Sequence, residues 1–266
     1  MYFVFDIGGT HTRVAISRDL KEFVGEVVIV KTPKNFSDGV KLIKNLAEHW
    51  LGGEKLEGVC GGVAGSIKVS TGELAISPHL PNWSGKDLGR ELSQKFGIKV
   101  LLANDTELAG LGEAVRGAGR GQDIVAYITV STGVGGARIV RGKPDRGVFT
   151  LEPGHARIDY EHALEELISG SALEKKYGRK TADITDSTAW EDVEYFLAVG
   201  IHNMIVHWSP DIVVLGGPVA GRMDIDRLRN TVKSMLTIYP TLPQIERAAL
   251  GDLAGLFGAL ELLRTQ

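Results

Sequence analysis

Asp6-Ile7-Gly8-Gly9-Thr10 follows a short apolar run, Tyr2–Asp6, and turns back into another, Thr12–Ser17. Glycines at such a turn let backbone N–H groups approach phosphate oxygens, and Thr10 adds a hydroxyl donor. Asp6, at the end of the run, has the chemistry to hold Mg²⁺ through water, since that ion takes oxygen ligands and keeps several waters. The plainer alternative is an ordinary hairpin with a polar flank. Ser131-Thr132-Gly133-Val134-Gly135-Gly136 repeats the pattern about half a chain later, and two such hairpins could clasp a triphosphate from both sides. No Walker lysine motif and no complete G-x-G-x-x-G follows the first strand, which disfavours P-loop and dinucleotide readings.

Leu101-Leu102-Ala103-Asn104-Asp105 sets an amide and a carboxylate where a buried strand gives way to a helix. Asp105 there is either an N-cap, the commonest reason for Asp at such a junction, or a general base held on rigid elements. Glu152-Pro153-Gly154-His155 lies in an irregular stretch, with Glu165 further on; singly, such residues are surface decoration as readily as ligands. Gly216-Gly217, after Asp211–Leu215, is a strand-to-helix turn that either docks a nucleotide or only admits a helix.

The elements that must position these residues follow from periodicity. Val24–Thr32, Leu56–Val63 and Lys99–Ala103 read as strands. Helices are expected over Asn35–Leu51, stopping at Gly52-Gly53, and after Ser84 as a cap, through Leu88, Leu92 and Phe96 to Gly97. Gly65–Ser77 looks like a turn-and-strand insert, and Asp105 opens a helix through Leu108, Leu111 and Val115. The second half restarts with strands Asp123–Ser131 and Ala137–Arg141, so a duplicated α/β half is the economical reading. Tyr160–Ile168, Ser171–Tyr177, Thr188–Trp208, Asp226–Leu236 and Leu253–Leu263 are helical candidates. A lobe boundary is expected near Ala103–Asn104, giving a small lobe 1–103, with the final helix (253–266) packing back on it, and a large lobe 104–252.

Composition narrows the function classes. Lys and Arg total 30 against 33 Asp and Glu, a net charge of −3, so neither nucleic acid nor an anionic membrane is expected as main partner. Glycine is abundant at 34 of 266 residues, in keeping with many tight turns or close ligand approaches. The single cysteine, Cys60, excludes an intramolecular disulfide framework and any multi-cysteine zinc site. No apolar run approaches a membrane span and no signal peptide is evident, so a cytoplasmic protein is expected.

Taken in order, Asp6-Ile7-Gly8-Gly9-Thr10 with Arg13, Asn104-Asp105, Thr132-Gly133-Val134-Gly135-Gly136, Glu152-x-x-His155 and Val214-Leu215-Gly216-Gly217 resemble the ROK family. That family contains bacterial glucokinases, related sugar kinases and sugar-responsive repressors. The resemblance covers nearly the whole chain, from Phe3 to Ala254-Gly255-Leu256-Phe257-Gly258-Ala259. It implies an α/β protein of the actin-like ATPase fold, a ribonuclease H-like duplication with two lobes around a central cleft, and a homodimer. By resemblance the catalytic base falls on Asp105, and sugar-binding positions on Gly65, Asn104, Glu152 and His155. ATP and Mg²⁺ are the implied cofactors, with Asp6, Gly8, Gly9, Thr10, Thr132, Gly133, Gly216 and Gly217 on the nucleotide side.

Three features depart from the family pattern. The zinc loop C-x-C-G-x-x-G-C that usually follows the Gly-His pair is missing, so no zinc is expected. Glu165 then inherits the role of a third sugar-binding acid, held by packing of Ala163, Leu164, Leu167 and Ile168 instead of coordination. Polyphosphate-using glucokinases of the family also lack that loop, which leaves polyphosphate open as donor. In Ser77-Pro78-His79-Leu80-Pro81-Asn82-Trp83, His79 occupies a position where many members carry Asn, so it joins the sugar-binding candidates and the sugar stays open. The implied reaction is ATP-dependent phosphorylation of a hexose, first of all the 6-hydroxyl of glucose; N-acetylmannosamine, N-acetylglucosamine and fructose are the alternatives. A sugar-sensing regulator is the non-enzymatic one.

Overall fold

Short apolar runs separated by glycine turns fold here into two five-stranded sheets built to one plan. The structure, a computed structural model, describes residues 1–265. Its first half runs β1 (Tyr2–Ile7), β2 (His11–Ser17), β3 (Val28–Lys31), α1 (Phe36–Leu51), β4 (Gly58–Val63), β5 (Ser66–Lys68), β6 (Glu73–Ile76), α2 (Leu88–Phe96), β7 (Val100–Asn104) and α3 (Asp105–Val115). The second continues with β8 (Ile124–Val130), β9 (Val134–Val140), β10 (Lys143–Pro144), α4 (Leu164–Ile168), α5 (Gly170–Tyr177) and α6 (Ser187–Trp208). It closes with β11 (Ile212–Gly216), α7 (Ile225–Met235), β12 (Gln244–Arg247) and α8 (Ala254–Arg264).

The strand orders are β3-β2-β1-β4-β7 and β10-β9-β8-β11-β12. Each sheet is an antiparallel trio extended by two parallel strands. Parallel neighbours require crossover connections, and helices supply them. The common order makes the duplication a feature of the fold. A separate two-stranded hairpin, β5-β6, is the insert after β4.

Two compact units result. One holds Met1–Val115, Arg146–Thr150 and the segment from Asp252; the other holds Arg116–Asp145 and Leu151–Gly251. The division falls after α3, past the Ala103–Asn104 point expected from the strand pattern. The reason is the packing of α3 on α8. A Cβ on Gly258 would stand 1.8 Å from the Leu108 carbonyl oxygen, and one on Gly112 would stand 2.3 Å from that of Ala254. Only glycines allow two helices so close.

Each sheet buries its own core. In the first, Phe3, Phe5 and Ile7 pack with Ile43 of α1 and Leu88 and Leu92 of α2. Each such side chain contributes about 1.5–3 kcal/mol by leaving water. In the second, Ile128 and Val213 pack with Leu197, Ile201 and Ile205 of α6. Helix α1 starts where the Asn35 carboxamide accepts from Ser37 N–H at 2.9 Å and ends on left-handed Gly52. No helix among the described residues is long and apolar enough to cross a membrane.

Local chemistry moved three expected boundaries. The third strand starts at Val28, because Gly25 at φ +73° turns the chain first. Asp87 caps α2, accepting from Arg90 N–H at 2.9 Å, while the Ser84 hydroxyl accepts from Ser77 N–H at 3.0 Å. The helix expected over Tyr160–Ile168 occupies only Leu164–Ile168. Asp159 Oδ1 accepts from the N–H groups of Glu161 and His162 at 2.7 and 2.6 Å, a side-chain turn that competes with helix.

Candidate active site

Strand register gathers the first unit's chemistry at one sheet edge. Asp6 lies opposite Gly62, Gly62 opposite Ala103, and Val63 opposite Asn104. The carboxyl ends of β1, β4 and β7 therefore carry Asp6, the Val63-Ala64-Gly65 turn and Asn104-Asp105 together, at the edge where parallel sheets take their ligands. Gly62 makes room between the two carboxylates: a Cβ there would lie 3.1 Å from Asp105 Cα and 3.3 Å from Asp6 Oδ1. On another side Gly255 of α8 would bring a Cβ to 3.4 Å from Asp6 Cγ.

Asp6 is a strongly perturbed carboxylate. Its Oδ1 is buried without a hydrogen-bond partner. Arg13 Nη1 stands 4.0 Å from its Oδ2, while Arg13 Nη2 donates to Asp252 at 3.1 Å. Burial foremost, then the charge of Asp105, pushes the Asp6 carboxyl up to about 7 against the pull of Arg13. Burial also pushes Asp105 above the usual carboxylate range, opposed by the Thr106 N–H and by the His79 imidazole. A buried acidic oxygen without a donor, beside a second carboxylate, fits a hard divalent cation and its waters.

The cap of α3 falls on Asn104. The Asn104 side chain, not that of Asp105, accepts from the third residue of the helix, Glu107 N–H, at 3.0 Å. Asn104 is thus the cap, and its Nδ2 donates to the Gly65 carbonyl at 2.9 Å. Asp105 is the first helical residue, its Oδ1 accepting from Thr106 N–H at 2.8 Å. Gly65 has φ +132°, and a Cβ there would sit 2.5 Å from the Ile76 carbonyl oxygen.

The Gly8-Gly9-Thr10 turn is tied by Gly8 N–H donating to His11 O at 3.0 Å and by Thr32 Oγ1 donating to Gly8 O at 2.8 Å. Neither Gly8 nor Gly9 takes a left-handed φ. What Gly9 accommodates is His79, whose Cβ would be 2.7 Å from a Cβ at position 9. Thr10 and His79 are both exposed.

The second unit builds a comparable edge. Gly216 pairs with Thr129, so the Thr132-Gly133 and Gly216-Gly217 turns leave neighbouring strand ends. Gly217, at φ +87°, would bring a Cβ to 2.3 Å from the Val130 carbonyl oxygen. The carbonyls of Ser131 and Thr132 accept from Gly170 and Ser171 N–H at 2.7 and 3.1 Å, fixing the start of α5 on the hairpin. Glu165 Oε2 accepts from Val134 N–H at 2.7 Å. Gly154 packs against Val134, and Gly136 against Pro153, at distances that admit no side chain. Thr132, Glu152, His155 and Glu165 are thus carried on segments that interlock.

Ala163, Leu164 and Ile168 are buried and Leu167 partly so, which anchors the short helix bearing Glu165. His155 is exposed, while Asp159 and His162 face each other at 3.1 Å. Among the described residues no group of three His, Cys, Asp or Glu side chains is placed to hold a metal ion.

Sequence reading missed Gly62, Gly255 and the Glu165–Val134 bond. Gly61-Gly62 inside a buried strand was a usable signal, since interior strand glycines mark close approach. The bond to a backbone N–H had none.

Two mixed α/β units of one strand order, with glycine turns at their strand ends, are the plan of the actin-like ATPase fold. The chain belongs to the ROK family, whose pattern matches residues 2–266. It is 28% identical to a glucokinase of Halalkalibacterium halodurans, over 100% of this chain and 95% of that one. It is 27% identical to an N-acetyl-D-glucosamine kinase of Pectobacterium atrosepticum, over 97% of each. Among solved structures, a ROK hexokinase from Thermus thermophilus superposes with a TM-score of 0.86 at 27% identity, covering 99% of this chain and 98% of that one.

Proposed function

We propose that this enzyme is an ATP-dependent hexose kinase that phosphorylates the 6-hydroxyl of glucose or a close hexose, with Asp105 as general base. The observation that carries the reading is Asp105 itself. It follows the parallel edge strand β7, on the first turn of a helix capped by its neighbour, with Oδ1 held by Thr106 N–H. That leaves Oδ2 to accept the attacking hydroxyl's proton, and the raised affinity for protons makes the carboxylate a stronger base than a free one.

Phosphoryl transfer asks a protein mostly for positioning and charge stabilisation. Glu152, His155 and Glu165 offer sugar hydroxyls a carboxylate, an imidazole and a second carboxylate; Gly65, His79 and Asn104 do so from the first unit. Asn104 retains one amide hydrogen for this after capping α3 and bonding Gly65. The turns at Gly8-Gly9-Thr10, Thr132-Gly133 and Gly216-Gly217 present backbone N–H groups and hydroxyls to phosphate oxygens. Asp6 would hold the Mg²⁺ of the nucleotide through water, and that ion neutralises phosphate charge.

A coupled assay across hexoses, N-acetylhexosamines and fructose, each with ATP and with polyphosphate, tests the reading. Highest kcat/KM for glucose with ATP is expected. A preference for an N-acetyl sugar or fructose moves the acceptor and leaves the role of Asp105 standing; turnover on none of them removes the proposal.

A further inference from the structure

A short strap leaves the second unit and returns to it. Asp145 and Leu151 belong to that unit, yet Arg146–Thr150 between them belongs to the first. Val69 N–H donates to Val148 O at 3.2 Å, and Lys68 forms an antiparallel bridge with Phe149. Arg146 supplies the charged anchor. Its Nε donates to Glu107 Oε1 at 2.8 Å, and Nη2 reaches the same oxygen. The Glu107 side chain is 7% exposed and that of Arg146 27%, so the pair is largely withdrawn from water.

Glu107 stands two residues beyond Asp105, and its own N–H is the one that Asn104 caps. One residue thus receives both the cap of α3 and the guanidinium of the strap. Past the strap the chain runs through Leu151 directly into Glu152-Pro153-Gly154-His155. Val148 and Phe149 lie exposed, so packing of their side chains adds little to hold the strap. An Arg fork on a buried carboxylate fixes direction as well as distance, which a surface ion pair does not.

We infer that Arg146 is a positioning residue for sugar binding: through Glu107 it ties the segment that leads into Glu152 and His155 to the helix that begins with Asp105. The inference rests on the sugar-binding reading of Glu152 and His155. It gives Arg146 no contact with substrate.

Glu107→Gln/Arg146→Gln removes the pair without leaving a bare buried charge, and Arg146→Lys keeps the charge while losing the fork. Hydrogen exchange is read on the protein alone, so it tests the anchor whatever the substrate. Wild-type turnover on the sugar panel tests the sugar reading separately. In the double variant, amides of residues 147–156 are expected to exchange at least tenfold faster, with core strands unchanged. Its KM for the sugar should rise at least fivefold while the KM for ATP stays within twofold. Arg146→Lys, which keeps the buried Glu107 charge paired and so disturbs the fold least, should fall between it and wild type in sugar KM. Unchanged exchange at 147–156, an unchanged sugar KM in either variant, or an equal rise in both KM values would overturn the inference.

Discussion

Asp105 and Asp6 are a pair of acids with different expected signatures. Asp105→Asn keeps size and hydrogen bonding but cannot take a proton, so kcat should fall by about 10²–10⁴ with sugar KM within a few-fold. Because Asn104 caps α3, Asp105→Asn loses no cap, and it relieves the cost of the buried charge, so thermal stability at neutral pH should hold or rise; a variant within threefold of wild-type kcat would show that Asp105 is not the base. For Asp6 the readout is stability against pH. The unfolded chain ionises this side chain at about 3.9, whereas burial and Asp105 hold the folded value at about 7. Between those values the folded protein binds the extra proton, so the cost of Asp6 is absent below the lower and complete above the higher. Asp6→Asn should therefore stabilise the metal-free protein at pH 8, by on the order of 2–4 kcal/mol, and have no such effect near pH 4. Denaturant melts at the two pH values decide it; an equal gain at both would show that Asp6 does not titrate this way. At this scale the sequence was legible where a residue's role follows from its neighbours in the chain. Asp6, Asn104 and Asp105 sit at strand ends that apolar runs announce. That Asn104 and not Asp105 caps α3 was not legible, because either side chain can reach the same N–H groups.

At the level of elements, glycine decides what can touch. Gly258→Ala would force a methyl into the Leu108 carbonyl, so α8 must shift, and a loss of roughly 3 kcal/mol or more in chemical denaturation is expected. A variant as stable as wild type would mean that the two helices can separate without loss. Glu165 belongs here too, since it joins α4 to the hairpin at Val134. Glu165→Gln keeps an acceptor for that N–H, so it should weaken sugar binding by about 1–3 kcal/mol with the KM for ATP little changed. Glu165→Ala releases Val134 and should raise both KM values; an unchanged KM for sugar in Glu165→Gln would remove Glu165 from the sugar site. Gly9→Ala, by contrast, separates little, because the new methyl meets His79 whether or not phosphate approaches the turn. Periodicity found most strands and helices within a residue or two. It failed at Tyr160–Ile168, where apolar spacing reads as helix while Asp159 spends its carboxylate on the turn instead. Spacing describes which face would be buried, and a side-chain turn is a competitor that spacing does not register.

For the molecule as a whole, the two sheets repeat one strand order, and α8 completes the first of them from the far end of the chain. The shortened segment after His155 bears on whole-molecule behaviour as well, because Asp159 and His162 are engaged with each other and with local N–H groups. Strong chelators should leave the melting temperature and sugar affinity intact once Mg²⁺ is restored; a lasting drop in either, or one zinc per chain by metal analysis, would contradict it. The discontinuity of the first unit also has a consequence for the order of synthesis. Everything from Tyr2 to Val115 leaves the ribosome well before Asp252, and the delay is on the order of ten seconds. Throughout that interval Asp6 lacks Gly255 behind it, and the Leu108 backbone lacks the helix that closes over it. Until α8 is made, the acidic edge of the nascent first unit is therefore uncovered on that side, whereas every residue of the second unit is already available to it.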